Sequence, residues 1–540
     1  MKRKFLIVFF CWLSQNILGQ QIIKDINPGS NGSYPGNDLY GDGRFCNING
    51  TIFFAADNIN GREFWKSDGT AAGTVLVKDI NPGTASSNPY GFVNINGTIF
   101  FGADNGSSGY ELWSSDGTSV GTTMVEDINP GAPGSTPVYL TEANGKLFFV
   151  ADDGTNGPEL WISSATLGTY MLKNIDPGNS GIGLGNLTNI NGILLFNAYD
   201  ATNGSELWKS DGTTLGTVLV KDINPGSAGS KPSGININGT LFFGADNSSN
   251  LRDLWKSDGT TAGTVLVKII NSTSASFMGS MCDVNGTLFF NANDGISGSE
   301  LWKSDGTAAG TVLVKDINSG SANSSPGGIN VNGTYFFSAT NGLLGKELWK
   351  SDGTAAGTVL VKDINPGTLD SYPNWMTNIN DTLYFTVTNG TNGFELWKSD
   401  GTAAGTVLVK DINPGSFDSS PSRLTNVNGT LFFTANDGIT GQELWKHNSG
   451  LIGINSISKN LGLSVYPNPF YSSTTIELDK TVSKATLQMY NLHGEIVKEI
   501  KEISGRIISL NRDNLQQGLY QIRITDSNGH IASQKLSICN

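Results

Sequence analysis

One tryptophan recurs along most of the chain at an almost constant spacing of 47 or 48 residues. Its nine positions are Trp65, Trp113, Trp161, Trp208, Trp255, Trp302, Trp349, Trp397 and Trp445. A fixed period of this length indicates one structural unit repeated as a solenoid, a propeller or another array. The repeat therefore places most of the 540 residues in a single domain, where length alone would suggest about three or four.

Each repeat contains four short segments whose β-branched and aromatic residues are typical of strands. The first segment leads into an Asn-Gly pair, which favours a tight hairpin because both residues accept positive φ. In seven of the nine units a Ser-Asp-Gly-Thr turn separates the third segment from the fourth, and in most units an Asn-Pro-Gly sequence ends the fourth. The third and ninth units lack the Asp-Gly turn. Four strands in a unit of about 40–50 residues are typical of one blade of a β-propeller.

The two ends of the array complement each other. A fourth segment, Gln21–Ile26, precedes the first complete unit, whereas the ninth unit stops after its third segment, Glu443–Trp445. Pairing of these two segments would complete the last unit. We therefore predict an all-β fold in which residues 20–449 form a closed β-propeller of nine four-stranded repeats. Propellers usually have about 4–8 blades, so an irregular ring or an open superhelix remains the alternative.

The loops of the repeat fall into a constant set and a variable set. If the N-terminal segment is an outer strand, the Asn-Gly and Ser-Asp-Gly-Thr turns share one face, and the remaining loops share the other. The loops of the second set differ between units and comprise residues 58–62, 84–90, 105–110, 247–252, 272–280, 368–374 and 388–394. Variable loops on a rigid scaffold commonly carry binding sites. This variable face is our candidate surface for an unknown glycan, protein or surface polymer, and drift of unconstrained loops is the alternative.

Histidine and cysteine are too scarce to support most catalytic sites in the repeats. The histidines are His447, His493 and His530, so none lies between residues 20 and 446, and we expect all three to lie outside the blades. This excludes histidine-dependent nucleophilic catalysis and histidine-ligated zinc there. Cys46 and Cys282 occupy the same slot of two repeats and are interpreted as packing residues.

Carboxylates are the remaining candidates for catalysis. An acid stands two residues before every repeat tryptophan, at Glu63, Glu111, Glu159, Glu206, Asp253, Glu300, Glu347, Glu395 and Glu443. A glycosidase needs one special pair of carboxyl groups, so nine equivalent acids indicate a structural role. We expect bonds to backbone N–H groups or to the recurrent lysines Lys78, Lys221, Lys315 and Lys362. No catalytic or cofactor-binding residue is predicted.

Charge and loop chemistry bear on two further ligands, nucleic acid and Ca²⁺. Residues 5–460 carry 23 basic and 40 acidic side chains, a net charge of −17, which disfavours nucleic acid as a partner. Loops such as Asp152–Gly154 and Asn293–Gly295 offer hard oxygen ligands for Ca²⁺. Local Asx turns account for the same residues, so a calcium site stays open.

The first 19 residues have the layout of a secretory signal peptide. Basic residues at positions 2–4 precede an apolar run, Phe5–Leu13, and a small residue, Gly19, stands before Gln20. We predict cleavage between Gly19 and Gln20. The apolar run is shorter than the roughly 20 residues of a transmembrane helix, so no membrane-spanning segment is expected in the mature chain.

Two resemblances to known families rest on repeated and ordered motifs. The Glu-Leu-Trp-x-Ser-Asp-Gly-Thr core of the repeat resembles the ELWxxDGT repeat family of secreted bacterial proteins, found largely in the Bacteroidetes group. That resemblance implies an extracellular location without a defined activity. The same turn also looks like the Asp box of sialidase propellers. A sialidase site would need clustered arginines, and Arg44, Arg62, Arg252 and Arg423 lie in separate units.

The C-terminal region differs from the repeats in composition. Residues 450–460 are predicted to be a linker, and residues 461–540 a small immunoglobulin-like β-sandwich of about seven short strands. The ordered motifs of this region look like the type A C-terminal sorting domain of the type IX secretion system. The motif positions are Tyr466, Pro467, Asn468, Pro469, Gly494, Gly518 and Tyr520. The resemblance implies that the secretion machinery is a partner and that the protein is secreted or held at the outer cell surface.

Taken together, these patterns predict an exported, non-catalytic binding or adhesion scaffold. The alternative is a secreted polysaccharide hydrolase that works through carboxylates. The repeat period varies by one residue only, so no long acid-bearing insertion interrupts the array to favour the hydrolase.

Overall fold

The computed structural model describes residues 20–37, 45–164, 167–177, 183–249, 251–274, 276, 278–448, 463–491, 496–525 and 531–539. Gly19, Gly494 and the predicted linker lie outside the described residues. The chain divides into two units on either side of residue 450. Within the described ranges, no helix is long and apolar enough to cross a membrane.

The described part of the first unit consists of nine four-stranded antiparallel sheets. The first strands of the sheets are β2 Cys46–Ile48, β6 Tyr90–Ile95, β10 Val138–Ala143, β14 Gly185–Ile190, β18 Ser233–Ile237, β22 Gly279–Val284, β26 Gly327–Val331, β30 Asn374–Ile379 and β34 Ser422–Val427. The second strands are β3 Thr51–Asn58, β7 Thr98–Asp104, β11 Lys146–Asp152, β15 Ile193–Asp200, β19 Thr240–Asp246, β23 Thr287–Asn293, β27 Thr334–Ala339, β31 Thr382–Thr388 and β35 Thr430–Asn436. First strands of successive sheets contact one another, so the sheets converge at their first strands.

The outer half of each sheet holds the tryptophan segment and the strand that follows it. The third strands are β4 Gly61–Ser67, β8 Tyr110–Ser115, β12 Pro158–Ser164, β16 Gly204–Ser210, β20 Arg252–Ser257, β24 Ser299–Ser304, β28 Glu347–Ser351, β32 Phe394–Ser399 and β36 Gln442–Asn448. The fourth strands are β5 Val75–Lys78, β9 Thr123–Glu126, β13 Gly168–Lys173, β17 Val218–Lys221, β21 Val265–Lys268, β25 Val312–Lys315, β29 Val359–Lys362, β33 Val407–Lys410 and, from the N-terminus, β1 Gln20–Lys24. This arrangement of sheets is that of a β-propeller.

The predicted turns are present and explain why these segments form hairpins. In the first sheet Asn49 and Gly50 both have positive φ, 51° and 91°, which matches the twist of the flanking strands. The Asn47 side chain accepts a hydrogen bond from the N–H of Gly50 at 3.0 Å. The strands then place Phe54 opposite Trp65, so aromatic residues pair across the sheet.

The N-terminal strand completes the last sheet, as the sequence predicted. Strand β1 pairs antiparallel with β36, and Ile22 lies opposite Trp445. Lys446 Nζ donates to the carbonyl of Gly69 at 2.6 Å. Lys66 donates in the same way to Gly117 of the next sheet at 2.8 Å. The contact between the last and first sheets therefore repeats the contact between consecutive sheets.

The hydrophobic core lies between neighbouring sheets. Phe53 and Phe64 of the first sheet pack with Phe101 and Trp113 of the second, and the Phe64 and Phe101 rings are 4.7 Å apart. A corresponding cluster joins the last and first sheets, where Phe54 and Trp65 meet Phe432 and Leu444. Burying one such side chain stabilises the fold by roughly 1.5–3 kcal/mol. The repeat period therefore fixes both the strands and the intersheet packing.

The described part of the second unit is a five-stranded antiparallel sheet with its own core. Its strands are β37 Leu463–Tyr466, β38 Ser473–Tyr490, β39 Ile496–Asn511, β40 Gly518–Thr525 and β41 Ile531–Ile538, in the order β37-β38-β40-β41 with β39 also paired to β38. The expectation of about seven short strands was wrong. Residues 473–490 form one long strand because it pairs with β39 along most of its length. Phe470 bridges Ile538, which brings the two ends of the sheet together.

Candidate binding face

The two sets of variable loops lie side by side on one face of the first unit. The N–H groups of Ser87 and Asn88 both donate to the carbonyl of Arg62 at 3.1 Å. A Cβ added to Gly61 would lie 2.6 Å from the carbonyl oxygen of Ala85. These contacts join the hairpin between second and third strands to the loop that leads to the next sheet. The grouping of loops expected from the strand order is therefore present.

Beneath this face, a buried acid lies in each sheet, and in most sheets it is a glutamate that bonds to the following loop. Glu63 accepts hydrogen bonds from the N–H of Ile80 at 2.7 Å and from the N–H and hydroxyl of Ser87 at 2.9 and 2.6 Å. Bonds from an isoleucine N–H and a serine hydroxyl recur at Glu111, Glu206, Glu300, Glu347, Glu395 and Glu443. These carboxylates are fully buried, so they act inside the scaffold.

Burial also decides how these acids titrate. Desolvation outweighs the hydrogen bonds and raises the pKa of Glu347 and Glu443 to about 7 and that of Glu395 to about 6. The same cause raises the pKa of Asp253. A buried carboxyl group that ionises must give up hydration, and the serine hydroxyls compensate only in part.

The recurrent lysines bond across the gap between sheets, not to these acids. Lys78 Nζ donates to the carbonyl of Thr122 in the next sheet at 2.7 Å and lies 5.9 Å from the centre of the Trp113 ring. Lys221, Lys315 and Lys362 donate to the equivalent threonine carbonyls. Of the two expected partners of the acids, the backbone N–H groups are therefore the ones observed.

In seven sheets the residue after the buried serine has left-handed backbone on the variable face. Ser371 and Tyr372 both donate their N–H groups to the carbonyl of Lys346, which turns the chain sharply at Tyr372. The same position has φ between 44° and 51° at Tyr34, Asn88, Thr136, Lys231, Ser325, Tyr372 and Ser420. Such values are uncommon for residues other than glycine, especially bulky ones. A constant anchor thus supports a side chain of variable identity.

A second series of left-handed residues lies in the first strands. Six of these strands contain a β-bulge, at β6, β10, β14, β22, β30 and β34. The residue within each bulge has positive φ, and these residues are Gly91, Tyr139, Asn186, Ser280, Trp375 and Arg423. Bulges re-aim side chains, and left-handed backbone costs about 1–3 kcal/mol at a residue other than glycine. We call the two series together the display positions.

The display positions of the last two sheets and the N-terminal loop enclose a cleft of about 520 Å³. Tyr34, Trp375, Ser420 and Arg423 line it together with other aromatic, amide and hydroxyl side chains. A smaller cleft of about 390 Å³ shares Trp375 and Arg423 with it. These volumes fall within the roughly 300–1,000 Å³ of small-molecule sites.

A cation and an aromatic ring form the wall between the two clefts. The guanidinium of Arg423 lies 5.8 Å from the centre of the Trp375 ring and donates to Asn37 Oδ1 at 2.8 Å. Trp375 nevertheless leaves 41% of its surface exposed. Trp375 was not predicted to be a site residue, although it is the tryptophan of residues 20–449 that falls outside the repeat period. Its departure from the period was the available signal.

His447 was wrongly placed outside the blades. It lies on β36 opposite Gln20 of β1, at the position where the other sheets carry the serine of their Ser-Asp-Gly-Thr turn. The side chain is buried, and burial together with Lys398 lowers its pKa to about 4. Its Nε2 lies 3.4 Å from the Tyr384 hydroxyl, deep in the sheet and away from the cleft.

The cysteines pack in hydrophobic clusters, and the aspartates of the acidic loops accept hydrogen bonds from their own turns. Cys46 and Cys282 are free thiols that pack against hydrophobic clusters, and burial raises the pKa of Cys46 to about 11. Asp153 and Asp294 accept bonds from the N–H groups of their own turns. Among the described residues, no group of three or more acidic, histidine or cysteine side chains is placed to hold a metal ion.

The predicted sorting motif joins the start of the second unit to its last strand. Asn468 donates to the carbonyl of Lys535 at 2.9 Å and accepts from the N–H of Ser537 at 2.8 Å. Pro467 accepts from the hydroxyl of Thr474 at 2.7 Å. Tyr466, Pro469, Gly518 and Tyr520 lie in or beside the strands of this sheet. The motif residues therefore hold a small fold together.

Comparison with known proteins identifies this second unit. The family described as the secretion system C-terminal sorting domain matches residues 464–539. A stretch of 76 residues is 36% identical to part of the ulvan lyase NLR42 of Nonlabens ulvanivorans, and it spans 14% of each chain. The match thus leaves most of that enzyme uncovered.

Several solved structures are similar to this chain at low identity. A puromycin hydrolase is 12% identical with a TM-score of 0.35, over 66% of this chain and 61% of that one. TolB from Acinetobacter baumannii has a TM-score of 0.28 over 58% and 77%, again at 12% identity. The β-propeller domain of the Trilobed protease from Pyrococcus furiosus is 11% identical, with a TM-score of 0.31 over 60% and 98%. These values decide neither blade number nor activity.

The geometry of the second unit and the family match to residues 464–539 agree. This chain carries a C-terminal sorting domain of the type IX secretion system, and it is a protein secreted to the cell surface or released outside the cell.

Proposed function

We propose that this protein is an exported, non-catalytic binding or adhesion scaffold whose variable face engages a glycan, a protein or a surface polymer. The observation that carries the proposal is the layering of that face. Buried bonds such as Ser87 to Glu63 hold the loops of seven sheets in place, while the adjoining display positions differ between sheets. A rigid base with variable side chains is the usual construction of a recognition surface.

The proposed scaffold is a closed ring of nine blades. The pairing of β1 with β36 and the cluster that joins Phe54 to Phe432 support closure, since both repeat contacts made between consecutive sheets. The ELWxxDGT resemblance of the repeat fits the same proposal. For the second unit, the contact between Phe470 and Ile538 supports a sheet folded over into an immunoglobulin-like sandwich.

The placement of acids favours binding over the hydrolase alternative. Glycoside hydrolysis requires two carboxyl groups within about 5–9.5 Å on either side of the bond. The repeated glutamates are buried and bonded to the scaffold, and the described lining of the clefts consists of aromatic, aliphatic, amide, hydroxyl and guanidinium groups. These groups hold a ligand without supplying an acid and a base.

The test combines a binding screen with a turnover screen on the purified mature chain. We expect saturable binding to a cell-surface polysaccharide or protein and no release of reducing or unsaturated ends from any polysaccharide. Turnover of a polysaccharide would refute the non-catalytic proposal. Removing residues 461–540 should retain the remaining chain in the periplasm of a host that has the secretion system, which serves as the control for export.

A further inference from the structure

We propose that the cleft around Trp375 and Arg423 binds a neutral oligosaccharide, with the sugar stacked on the indole ring. This inference rests on the proposed binding function and names its ligand class and position. The cleft lies where β30, β34 and the loop at residues 34–37 meet. Residues from both ends of the repeat array are therefore required to build it.

The cleft combines an aromatic ring and a cation on neighbouring strands, which the other bulged strands do not. The bulge residue is Gly91, Tyr139, Asn186 or Ser280 in the other four bulged strands. In β30 and β34, which are neighbours, it is Trp375 and Arg423. Tyr34, another display position, is 44% exposed on the same lining. Two aromatic side chains and a cation are thus held in left-handed backbone around one cavity.

The backbone conformation at these positions has a cost that packing of the scaffold does not explain. Positive φ at an aromatic residue is a strained state of about 1–3 kcal/mol, and such strain clusters at ligand sites. The side chain of Trp375 remains 41% exposed, so burial of the indole does not account for its presence. A ligand that covers the ring would make use of the exposed apolar surface.

The polar groups of the cleft match a sugar. A pyranose presents an apolar face of C–H groups and a rim of hydroxyls that both donate and accept hydrogen bonds. The indole suits the apolar face, as aromatic side chains combine large contact area with a polar tip. Asn37, Thr434 and Gln442 place amides and hydroxyls on the same lining, and Gln442 Nε2 already donates to Thr434 Oγ1 at 2.9 Å.

Charge decides between a neutral and an anionic sugar. Residues 5–460 carry 23 basic and 40 acidic side chains, so an approaching polyanion meets a repulsive field. The Arg423 guanidinium stacks on Trp375 and donates to Asn37, which fixes it as a wall of the cleft. We therefore assign neutral hexose or pentose oligomers as ligands.

The test titrates the intact mature protein calorimetrically with cellohexaose, laminarihexaose, mannohexaose and xylohexaose, and with a guluronate hexamer as the anionic probe. We expect at least one neutral probe to bind. Trp375→Gly should weaken that binding at least tenfold. Glycine accepts the same backbone conformation without strain, so this variant should fold as well as the parent.

The control is Leu215→Ala, which removes an exposed apolar side chain beside the Ser-Asp-Gly-Thr turn at residues 210–213. This side chain belongs to the face opposite the variable loops and lies outside the lining of the cleft. Its affinity should stay within twofold of the parent. Equal losses in the two variants, binding of none of the neutral probes, or preference for the guluronate probe would overturn the assignment. If Trp375→Gly loses no binding while the chain still adheres to its target surface, this inference fails and the proposed function stands. If the unaltered chain binds no surface at all, the proposed function fails as well.

Discussion

The two faces of the first unit use the same strands in opposite ways. On the constant face the recurrent polar side chains bond at the surface, where Asp68 accepts from Thr70 and Lys66 donates to Gly117 of the next sheet. On the variable face the recurrent polar residues, such as Glu63 and Ser87, are buried below the surface. A residue that follows a buried serine, such as Tyr372, bonds to the turn through its backbone N–H.

This difference explains which parts of the repeat vary. A side chain that satisfies a buried or turn N–H cannot be replaced without leaving that group unpaired. A display position such as Tyr372 contributes its backbone N–H to the turn, and any side chain satisfies that requirement. Positions whose side chains make hydrogen bonds within the scaffold are therefore constant between repeats. Positions that bond only through the backbone vary.

The contrast between the two faces requires an intact ring. Removal of residues 20–26 should open that ring. The deletion takes away the partner strand of β36 and the buried side chains of Ile23 and Ile26. We expect a loss of roughly 5 kcal/mol or more in unfolding free energy and self-association through the bare edge of β36. Urea unfolding and analytical ultracentrifugation measure these effects. A shortened chain with unchanged stability would contradict closure.

The next largest effect should come from Glu300→Ala. It leaves the N–H of Ile317 without its acceptor and takes away the shorter of the two contacts made by the N–H and by the hydroxyl of Ser324. Only the longer contacts of Ser324 to the carbonyl of Ser299 remain, so we expect a loss of about 3 kcal/mol. The control is Ser325→Ala at the adjacent display position, which should change stability by less than about 0.5 kcal/mol. Urea midpoints followed by tryptophan fluorescence test the pair. Similar losses in both variants would erase the contrast between anchor and display positions.

The buried carboxyl groups should make stability depend on pH. Their folded pKa values lie above the ordinary value, at about 7 for Glu347 and Glu443 and about 6 for Glu395. The folded state then holds more protons than the unfolded state between about pH 4.5 and 7, so the unfolding free energy falls as pH rises through that window. His447, whose pKa is lowered to about 4, opposes this trend up to about pH 6.5.

Thermal unfolding between pH 5 and 8 measures that slope. The buried acids with a raised pKa outnumber His447. We therefore expect the thermal midpoint to decrease as pH rises from 5 to 7 and to level off above 7. Glu347→Gln removes one titrating group and should flatten the decrease. A midpoint that rises steadily from pH 5 to 7 would show that the hydrogen bonds to serine and isoleucine outweigh burial.

The smallest effect should be a gain in stability when Asp253, the one aspartate among the nine acids, is replaced by glutamate. Its carboxylate accepts from the side chain of Asn247 at 2.9 Å, while the hydroxyl of Ser276 bonds instead to the carbonyl of Arg252. Asp253→Glu adds the methylene needed to reach the serine, as in the other sheets, and should stabilise by about 1 kcal/mol. Glu206→Asp, the reverse change in the neighbouring sheet, should destabilise by a similar amount. Equal urea midpoints for the two variants would show that the bond between the serine and the buried acid does not stabilise the sheet.

Most of the scaffold could be predicted from sequence because its interactions are local and repeated. The pattern recurs in nine units, so each strand and turn could be predicted from several copies. The Asn-Gly and Ser-Asp-Gly-Thr turns adopt the expected conformations. The acids before each tryptophan were correctly assigned to the scaffold. His447 was misplaced because it replaces a turn serine at the one seam where the repeat is interrupted.

The second unit was harder to predict in detail. Its motif residues identify the sorting domain, and Asn468 indeed ties the first strand region to β41. The strand count was wrong because Ser473–Tyr490 carries residues that resemble turns yet stays paired with β39 through several irregular steps. Pairing with a partner strand overrides local propensity in such a segment.

By itself, the sequence determined the period, the strand and turn types and the secretory address, because each depends on neighbouring residues or on ordered motifs. Tertiary structure alone decided the binding cleft. Trp375 and Arg423 meet because bulges turn their backbone to positive φ, and Arg423 reaches Asn37, which lies 386 residues away in the chain. Neither the left-handed backbone nor that meeting is encoded in residue type. Both follow from the way successive sheets converge and bring the last of them beside the first.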